Sequence, residues 1–571
     1  MNHEVLNWLN LADKFAADGD PKGMRACARE LWEVDADSME GAAVMAEAAL
    51  YSGEYEEAQA LTGKILAKKP KHLRGRLVKA GLAAVEFRLD EELPLLRGLI
   101  AEVEHERRIL DSGDVYDGVL LHILKQARGW LADAEYLAAE PDKAAASLLA
   151  CSKLLTEPLA KADLYSKYLF MCNYREQSRS ESRREAEKYA SLLGIVPYVH
   201  AEARKRKKKL RIGYLSPDFR EHAAASFFAP LLTQYDSSRF KVYCYSTGRP
   251  DAVTKKFRTG PVHWRDLRGR SPQVAARLVF EDKIDILMDL SGHTQGSCLP
   301  IMAYRPAPVQ MTGIGYMNTT GLSAVDYFLS DEVCLPAGEE ADCGFTEKIL
   351  RLPHSHLCYA PDFVREVPSA GTEAPCIRNG YVTFGSFNNF AKATEETLML
   401  WRGILEQVED SRLILKGKIC SIPSGQAIVR ERLSRLGICL DRVELRPYSP
   451  DYLEQYREVD IALDTMPYNG GLTTCEALYM GVPVISMRGR SHGARFGASI
   501  LTNAGVRELV TENSVDYVRR AVQLGNSPEL IAAYHSGLRA NLLKSPLMNG
   551  SQYMKELEAA YREMWENFCT I

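Results

Sequence analysis

The sequence predicts an all-helical N-terminal domain followed by two doubly wound α/β domains that face each other across a cleft. Three observations predict it. Residues 1 to about 200 are dominated by alanine, leucine and glutamate, with apolar residues recurring at three and four. From Leu210 onward, short apolar strands alternate with helical segments, the pattern of parallel sheets covered by helices. The alternation runs in two sets that meet at Ser369–Asn379, a Pro- and Gly-containing linker, and 571 residues are too many for one core.

In the helical part, the stretch Ala46, Tyr51-Ser52-Gly53-Glu54-Tyr55-Glu56-Glu57-Ala58 and Pro70 resembles a tetratricopeptide unit. Small residues at Ala46 and Ala58 let paired helices approach, and Gly19-Asp20 precedes Gly53-Glu54 by one repeat of about 34 residues. A later copy is expected near Glu140-Pro141-Asp142-Lys143-Ala144, and the alternative is a non-repeating bundle. Stacked helix pairs suit extended polypeptide. The basic run Ala203-Arg204-Lys205-Arg206-Lys207-Lys208-Lys209 reads as a solvated linker. The domains are therefore expected at 1–200 (helical, with a surface for extended polypeptide), 201–209 (linker), 210–375 and 376–571, the last ending in a closing helix.

Expected strands of the first set are Leu210–Leu215, Lys241–Tyr245, Ile284–Asp289, Gln310–Gly315 and Val325–Leu329; those of the second are Val382–Phe387, Leu413–Lys416, Val443–Leu445, Ile461–Leu463 and Pro483–Met487. Ligands of such domains collect at the carboxyl ends of the strands. Several segments there carry polar chemistry. Asp218 and His222 follow the first strand, and a histidine titrating near neutrality can donate, accept or move a proton. Asp289-Leu290-Ser291-Gly292-His293 repeats that arrangement, so His293 is expected on the same edge. Gly313-Ile314-Gly315 ends another strand with glycines where a ligand or chain could pass.

Two further segments ask for an anion. Asp464-Thr465-Met466-Pro467-Tyr468-Asn469-Gly470-Gly471-Leu472-Thr473-Thr474-Cys475-Glu476 leads from a strand into a helix. Its glycines would let a diphosphate approach the helix N-terminus, its threonines add hydroxyls, and Glu476 stands where a carboxylate could accept ribose hydroxyls. Alone, the segment also reads as a loop with a threonine cap. Val382-Thr383-Phe384-Gly385-Ser386-Phe387-Asn388-Asn389-Phe390-Ala391-Lys392 places a lysine near a helix start, where the dipole repels a cation unless an anion is bound.

Taken together, residues 207–571 resemble the catalytic half of the O-linked N-acetylglucosamine transferase family, in its bacterial and plant SPINDLY-like branch. The matching motifs are Gly213–His222, Arg305–Gly321, Val382–Lys392, Asp464–Glu476, and Ser545–Gly550 leading to Tyr561–Trp565. The resemblance implies a metal-independent, inverting glycosyltransferase of the GT-B fold. It implies a nucleotide-sugar donor, UDP-N-acetylglucosamine in the leading reading, and a protein Ser or Thr acceptor. Carried over by position, Lys392 would stabilise the departing diphosphate. Gly471, Leu472, Thr473 and Thr474 would hold the phosphates, and Glu476 the ribose. Asn389 and Gly315 would line the pocket, with His293 among the donor-side residues. His222 would contact the sugar or the acceptor, and Asp218 and His222 are the candidate bases. Animal members carry histidine where this chain has Leu472. Plant SPINDLY members use GDP-fucose, and a related bacterial branch transfers glucose to asparagine, so both remain alternatives. Bacterial relatives suggest flagellin as the acceptor.

The bulk numbers bound the rest. Lys+Arg 71 against Asp+Glu 75 argues against a general nucleic-acid binder. No apolar run is long enough for a membrane span, and Met1-Asn2-His3-Glu4 does not open a signal peptide. The 13 cysteines lack a CxxC pair, which favours reduced thiols and a cytoplasmic protein. His354-Ser355-His356 is a two-ligand fragment without an acidic or cysteine partner at useful spacing, so no metal is expected there, and the family resemblance implies no cofactor beyond the nucleotide-sugar donor. The helical domain is a candidate for homodimer formation.

Overall fold

One turn recurs through the helical part. Helices α1 (His3–Ala17), α2 (Pro21–Val34), α3 (Met39–Ser52), α4 (Tyr55–Lys68), α5 (Leu73–Val85), α6 (Leu89–Ile109), α7 (Tyr116–Leu137) and α8 (Pro141–Lys153) pack in sequential pairs. Residues Gly19, Gly53 and Phe87, 34 apart, all take positive φ between the helices of a pair, and Ala139 does so again. The following N–H reaches back five residues each time: Asp20 to Phe15 O (2.8 Å), Glu54 to Ala49 O (2.9 Å), Arg88 to Ala83 O (2.9 Å) and Glu140 to Glu135 O (2.8 Å). These are Schellman closures, which satisfy carbonyls left over at the helix end. The repeat is thus helix-pair in kind, as the spacing of Gly19 and Gly53 predicts. Phe87 occupies the left-handed position with a bulky side chain that is largely exposed. Phe87→Gly is expected to raise the stability of the helical unit by up to about 1 kcal/mol. Chemical denaturation checks this, and a loss of comparable size would show that the phenyl ring matters more than the strain.

This architecture is seen in a computed structural model that describes residues 2–110, 114–200, 205–338, 344–371 and 373–570. The chain divides into Met1–Leu164 with Ser421–Val429, and Tyr165–Cys420 with Arg430–Ile571. Inside the first unit, α3 is buried nearly throughout, and Gly41 and Gly81 let helices approach: a Cβ at Gly81 would sit 2.5 Å from Leu50 and 3.0 Å from Trp130. Four polar side chains share that interior. Arg74 pairs with Asp13 (2.5 Å) and Glu47 (2.6 Å), and His122 Nε2 lies 2.9 Å from Glu47.

The second unit includes helix α10 (Arg179–Leu193) and the C-terminal half of α9 (Pro158–Cys172). The reason is local. Asn173 Nδ2 donates to Tyr316 Oη (3.2 Å), and Asn318 donates to Ser182 Oγ (2.7 Å), tying these helices to loops of the first sheet. The basic stretch is anchored as well. Lys207 pairs with Asp285 and lies over the Trp565 ring, and Arg562 donates to the Lys208 carbonyl (2.6 Å). Ala203 and Arg204 of that run, and Thr372 of the later linker, lie outside the described residues.

The first sheet contains β1 (Leu210–Ser216), β2 (Phe240–Ser246), β3 (His263–Asp266), β4 (Ile286–Asp289), β5 (Val309–Thr312), β6 (Tyr327–Asp331) and β7 (Lys348–Leu352), in the order β3-β2-β1-β4-β5-β6-β7. The second contains β8 (Thr383–Ser386), β9 (Arg412–Lys416), β10 (Val443–Arg446), β11 (Ile461–Leu463), β12 (Val484–Met487) and β13 (Val510–Thr511), in the order β10-β9-β8-β11-β12-β13. All pairings are parallel, for instance Ile212 with Ile286 and Ile461 with Phe384. Each strand expected from the sequence is present. The three that were not expected, β3, β7 and β13, lie at sheet edges; β3 is mostly exposed and β13 has two residues, so neither shows an apolar run. The terminal helix Gly550–Thr570 closes against the first sheet, with Tyr561 Oη 3.1 Å from Tyr214 Oη. Among the described residues, no helix is long and apolar enough to cross a membrane.

Candidate functional site

The strand order reverses direction between β1 and β4 in one sheet and between β8 and β11 in the other. Crevices at such switch points are where doubly wound sheets take ligands. The loops after these four strands carry Asp218/His222, His293, Asn389/Lys392 and Gly470–Glu476.

After β11, the chain turns on Asp464. Its buried carboxylate accepts N–H groups from Thr465 (2.8 Å) and Gly470 (2.7 Å) and the Ser486 hydroxyl (2.6 Å). Burial raises its pKa to about 6, although these donors pull the other way. The turn delivers Gly471 as the cap of the helix Leu472–Tyr479, whose first internal bond is Cys475 N to Gly471 O (3.2 Å). The N–H groups of Leu472, Thr473 and Thr474 precede that bond, so the helix presents donors and a partial positive charge.

Lys392 arrives at this turn from the β8 side. Its Nζ donates to the Asn469 carbonyl (3.1 Å) and stands 3.6 Å from the centre of the Tyr468 ring. Burial lowers its pKa to about 8, with Asp464 opposing the shift. A lysine so placed gains from an anion, which restores the charge that burial disfavours. Asn388 bridges the same two loops by accepting the Thr473 hydroxyl (2.9 Å). Asn389 caps the short turn Phe390–Lys392 through the Ala391 N–H (3.1 Å), so it positions Lys392. The Thr474 hydroxyl donates back to Gly470 O (2.9 Å).

The two glycines are not equivalent. A Cβ at Gly470 would meet Thr473 Oγ1 at 2.4 Å, Thr474 Oγ1 at 2.9 Å and Asn388 Oδ1 at 3.0 Å, whereas at Gly471 the nearest atom is Phe496 at 3.7 Å. Gly470→Ala is therefore expected to reduce nucleotide affinity at least tenfold through displaced hydroxyls, while Gly471→Ala stays within about threefold unless the ligand itself needs the space. Titration calorimetry with a nucleoside diphosphate measures both.

Glu476 lies on the inner side of that helix. Its carboxylate accepts the Tyr452 hydroxyl and stands 3.9 Å from Arg365. Burial raises its pKa to about 7. A ribose hydroxyl would have to share this oxygen with Tyr452 or take the other one.

On the first sheet, Asp218 is buried and His222 half-exposed, with Nδ1 at 3.6 Å from Asp218 Oδ2. The Ala224 N–H donates to that same Nδ1 (3.3 Å), which leaves the proton of the neutral ring on Nε2. Burial raises the Asp218 carboxyl, with His222 and Arg220 opposing, and lowers His222, with Asp218 opposing. Both are pushed toward neutrality, the arrangement of a proton-handling pair.

One expectation on this sheet is corrected, that for His293. His293 is fully buried, its Nε2 donating to Thr320 O (3.0 Å) and its Nδ1 2.8 Å from Ser166 Oγ, with Tyr189 and Tyr316 packed on its ring. Burial lowers its pKa to about 4. Both nitrogens are taken, so it holds α9 to the sheet and offers a ligand nothing. At Gly315 the close approach is by the chain itself: a Cβ would lie 2.0 Å from the Leu290 carbonyl. The residues that sequence reasoning missed are Tyr468, Asn388 as a bridge, Tyr452 and Arg365. Tyr468 stood inside the quoted motif; the last two carry no local signal.

A cleft of about 780 Å³ opens beside Tyr468, lined also by Arg175, Arg179, Met317 and Arg490. The volume suits a ligand larger than a single sugar.

Comparison with known proteins decides the family. The model of glycosyl transferase family 41 matches residues 182–363 and 372–557. The chain belongs to glycosyl transferase family 41. Among curated members, "Probable UDP-N-acetylglucosamine--peptide N-acetylglucosaminyltransferase SPINDLY" of Petunia hybrida is 41% identical over 377 residues, 64% of this chain and 39% of that protein. "Probable UDP-N-acetylglucosamine--peptide N-acetylglucosaminyltransferase SEC" of Arabidopsis thaliana is 28% identical over 402 residues, 67% of this chain and 40% of that protein. The chain thus spans about two fifths of the length of the curated relatives it matches. A solved O-GlcNAc transferase of Thermobaculum terrenum, in a mutant form, aligns over 100% of this chain and 99% of its own, with 25% identity and a TM-score of 0.72. The family-41 fold, helical repeats followed by two facing Rossmann-like domains, is therefore that of this protein.

Proposed function

We propose that this chain transfers N-acetylglucosamine from UDP-N-acetylglucosamine to serine or threonine of a protein, with inversion and without a catalytic metal. One observation carries the reading: Lys392 Nζ and the N-terminus of the helix Leu472–Tyr479 converge on the same turn. Together they supply a fixed positive field for a departing diphosphate, the role a metal plays elsewhere. Asp218 and His222 stand at the facing switch point as the candidate acid–base pair. The stacked helix pairs of the first unit are the proposed acceptor surface, with a bacterial flagellin the acceptor suggested and the cytoplasm its place. The names of the SPINDLY and SEC relatives, which give UDP-N-acetylglucosamine as their donor, support the sugar.

A second reading, GDP-fucose as donor, rests on the resemblance of the motifs to the SPINDLY-like branch, whose member is more identical to this chain than SEC is. Purified protein, offered a panel of UDP- and GDP-sugars with lysate protein as acceptor, separates them by intact mass. An added N-acetylhexosamine supports the first reading and a deoxyhexose the second. No addition with any donor overturns both.

A further inference from the structure

Away from the phosphate-facing turn, three side chains from distant parts of the chain meet in the interior. Cys334 follows β6, His356 follows β7 and His492 follows β12. One ligand atom from each lies within 4.8 Å of the other two, and all three side chains are buried. The sequence shows His356 no cysteine or acidic partner at useful spacing; its partners in space come from other loops.

The hydrogen bonding points the same way. Asp331, the last residue of β6, accepts from His356 Nδ1 (2.5 Å), the His356 N–H (3.0 Å), the Cys334 N–H (2.8 Å) and the Ser499 hydroxyl (2.8 Å). A carboxylate bound to Nδ1–H turns the lone pair of Nε2 outward, the device by which metal-ligating histidines are oriented. His356 Nε2 has no hydrogen-bond partner, and neither has either ring nitrogen of His492, although both rings are almost wholly removed from solvent. The Met317 carbonyl approaches His492 without hydrogen-bond geometry. Cys334 Sγ makes a weak contact of 3.5 Å to the Arg495 carbonyl. Buried polar atoms left without partners are rare and call for a ligand. The Arg495 guanidinium donates to the Gly489 carbonyl (2.8 Å) and reaches the Cys334 carbonyl (3.4 Å), so it is directed at backbone oxygens.

We propose that Cys334 Sγ, His356 Nε2 and one ring nitrogen of His492 bind a single divalent zinc-like ion that pins the loops of the first sheet to the β12 loop of the second. Sulfur with imidazole is a borderline-soft donor set, suited to zinc or cobalt and unsuited to magnesium or calcium. Ligand atoms around a tetrahedral zinc stand roughly 3.3–3.6 Å apart, so side-chain shifts on the order of an ångström close the site, and water takes the fourth position. Binding replaces the Cys334 S–H proton with the ion, so one proton is released per ion bound. The thiolate and the Asp331 carboxylate then balance the charge of the cation. The site stands apart from Lys392: it neighbours the Asp464–Glu476 turn through the Gly493 carbonyl, which accepts the Asn469 N–H (3.2 Å).

The test uses the full chain without a histidine tag, stripped with chelator and titrated with zinc against a chromophoric competitor, then with cobalt. One ion per chain, a thiolate-to-cobalt absorption band and a higher melting temperature with zinc are expected. Cys334→Ser and His492→Ala should lose the band and bind at least tenfold more weakly, while Cys439→Ser, at an exposed cysteine, changes nothing. Failure of the wild-type chain to bind stoichiometric metal, a cobalt spectrum without the thiolate band, or undiminished binding by folded Cys334→Ser would each overturn the proposal. The wild-type cobalt spectrum decides even where a variant fails to fold.

Discussion

Lys392→Ala is expected to lower kcat/KM for sugar transfer by on the order of 10²–10³ while leaving the protein folded. The lysine makes one hydrogen bond to a carbonyl and one ring contact, and neither holds an element in place. Burial penalises its charge. The stability sign follows. The folded-state pKa, about 8, lies below that of a free lysine, so the folded chain binds fewer protons than the unfolded chain between the two values. Stability therefore rises with pH through that window, and at neutral pH the protonated lysine is a cost the fold carries for its ligand. The alanine variant should melt no lower than the parent, and donor affinity of the parent should fall as pH rises past about 8. Steady-state kinetics with a melting curve on the same preparation reads both. Retained transfer would remove Lys392 from the mechanism; a collapsed melting temperature would make it structural.

How legible this was in the sequence depends on whether each signal is local. The strands inside both sheets were readable because buried parallel strands are continuous apolar runs; β3, β7 and β13 were missed at sheet edges, β3 because it faces solvent along most of its length, while the edge strand β10 was read. The phosphate-facing turn was readable because its glycines, threonines and lysine follow strands directly. His293 shows the limit: it stands after its strand much as His222 does after β1, yet helix α9 covers it and Ser166 takes its nitrogen. Pattern places a residue at a strand end but does not say what packs on that end. The same limit hid the partners of His356, which are neighbours only in three dimensions, and Arg365 and Tyr452 behind Glu476.

Arg74→Met should produce the largest loss of stability. Helix periodicity makes Arg74, on α5, one more polar residue between apolar ones, but the guanidinium is 1% exposed and holds two carboxylates. Burial pushes both acids up. For Glu47, Arg74 and His122 outweigh that effect and hold its pKa at about 2; for Asp13, burial prevails and the pKa stays raised. Two acids share one guanidinium, so one is favoured as the anion at the other's expense. Removing the guanidinium leaves Glu47 charged with only His122 beside it, or forces it to take a proton. The cost of orphaning a buried charge is about 3–5 kcal/mol. In a unit of this size that lowers the melting transition by roughly 6–20 °C in calorimetry of the full chain. Adding Glu47→Gln to Arg74→Met should recover part of the loss, since an uncharged partner no longer needs the cation. The sign with pH is also set. Glu47 has a depressed folded pKa, so its stabilisation is present above the unfolded value near 4.5 and is lost as pH falls toward 2. The helical unit of the parent should weaken over that window, and Arg74→Met should weaken less steeply because its Glu47 has less to lose. A melting temperature unmoved by Arg74→Met would mean that water reaches the two carboxylates and that the buried network is not what holds α1, α3 and α5 together.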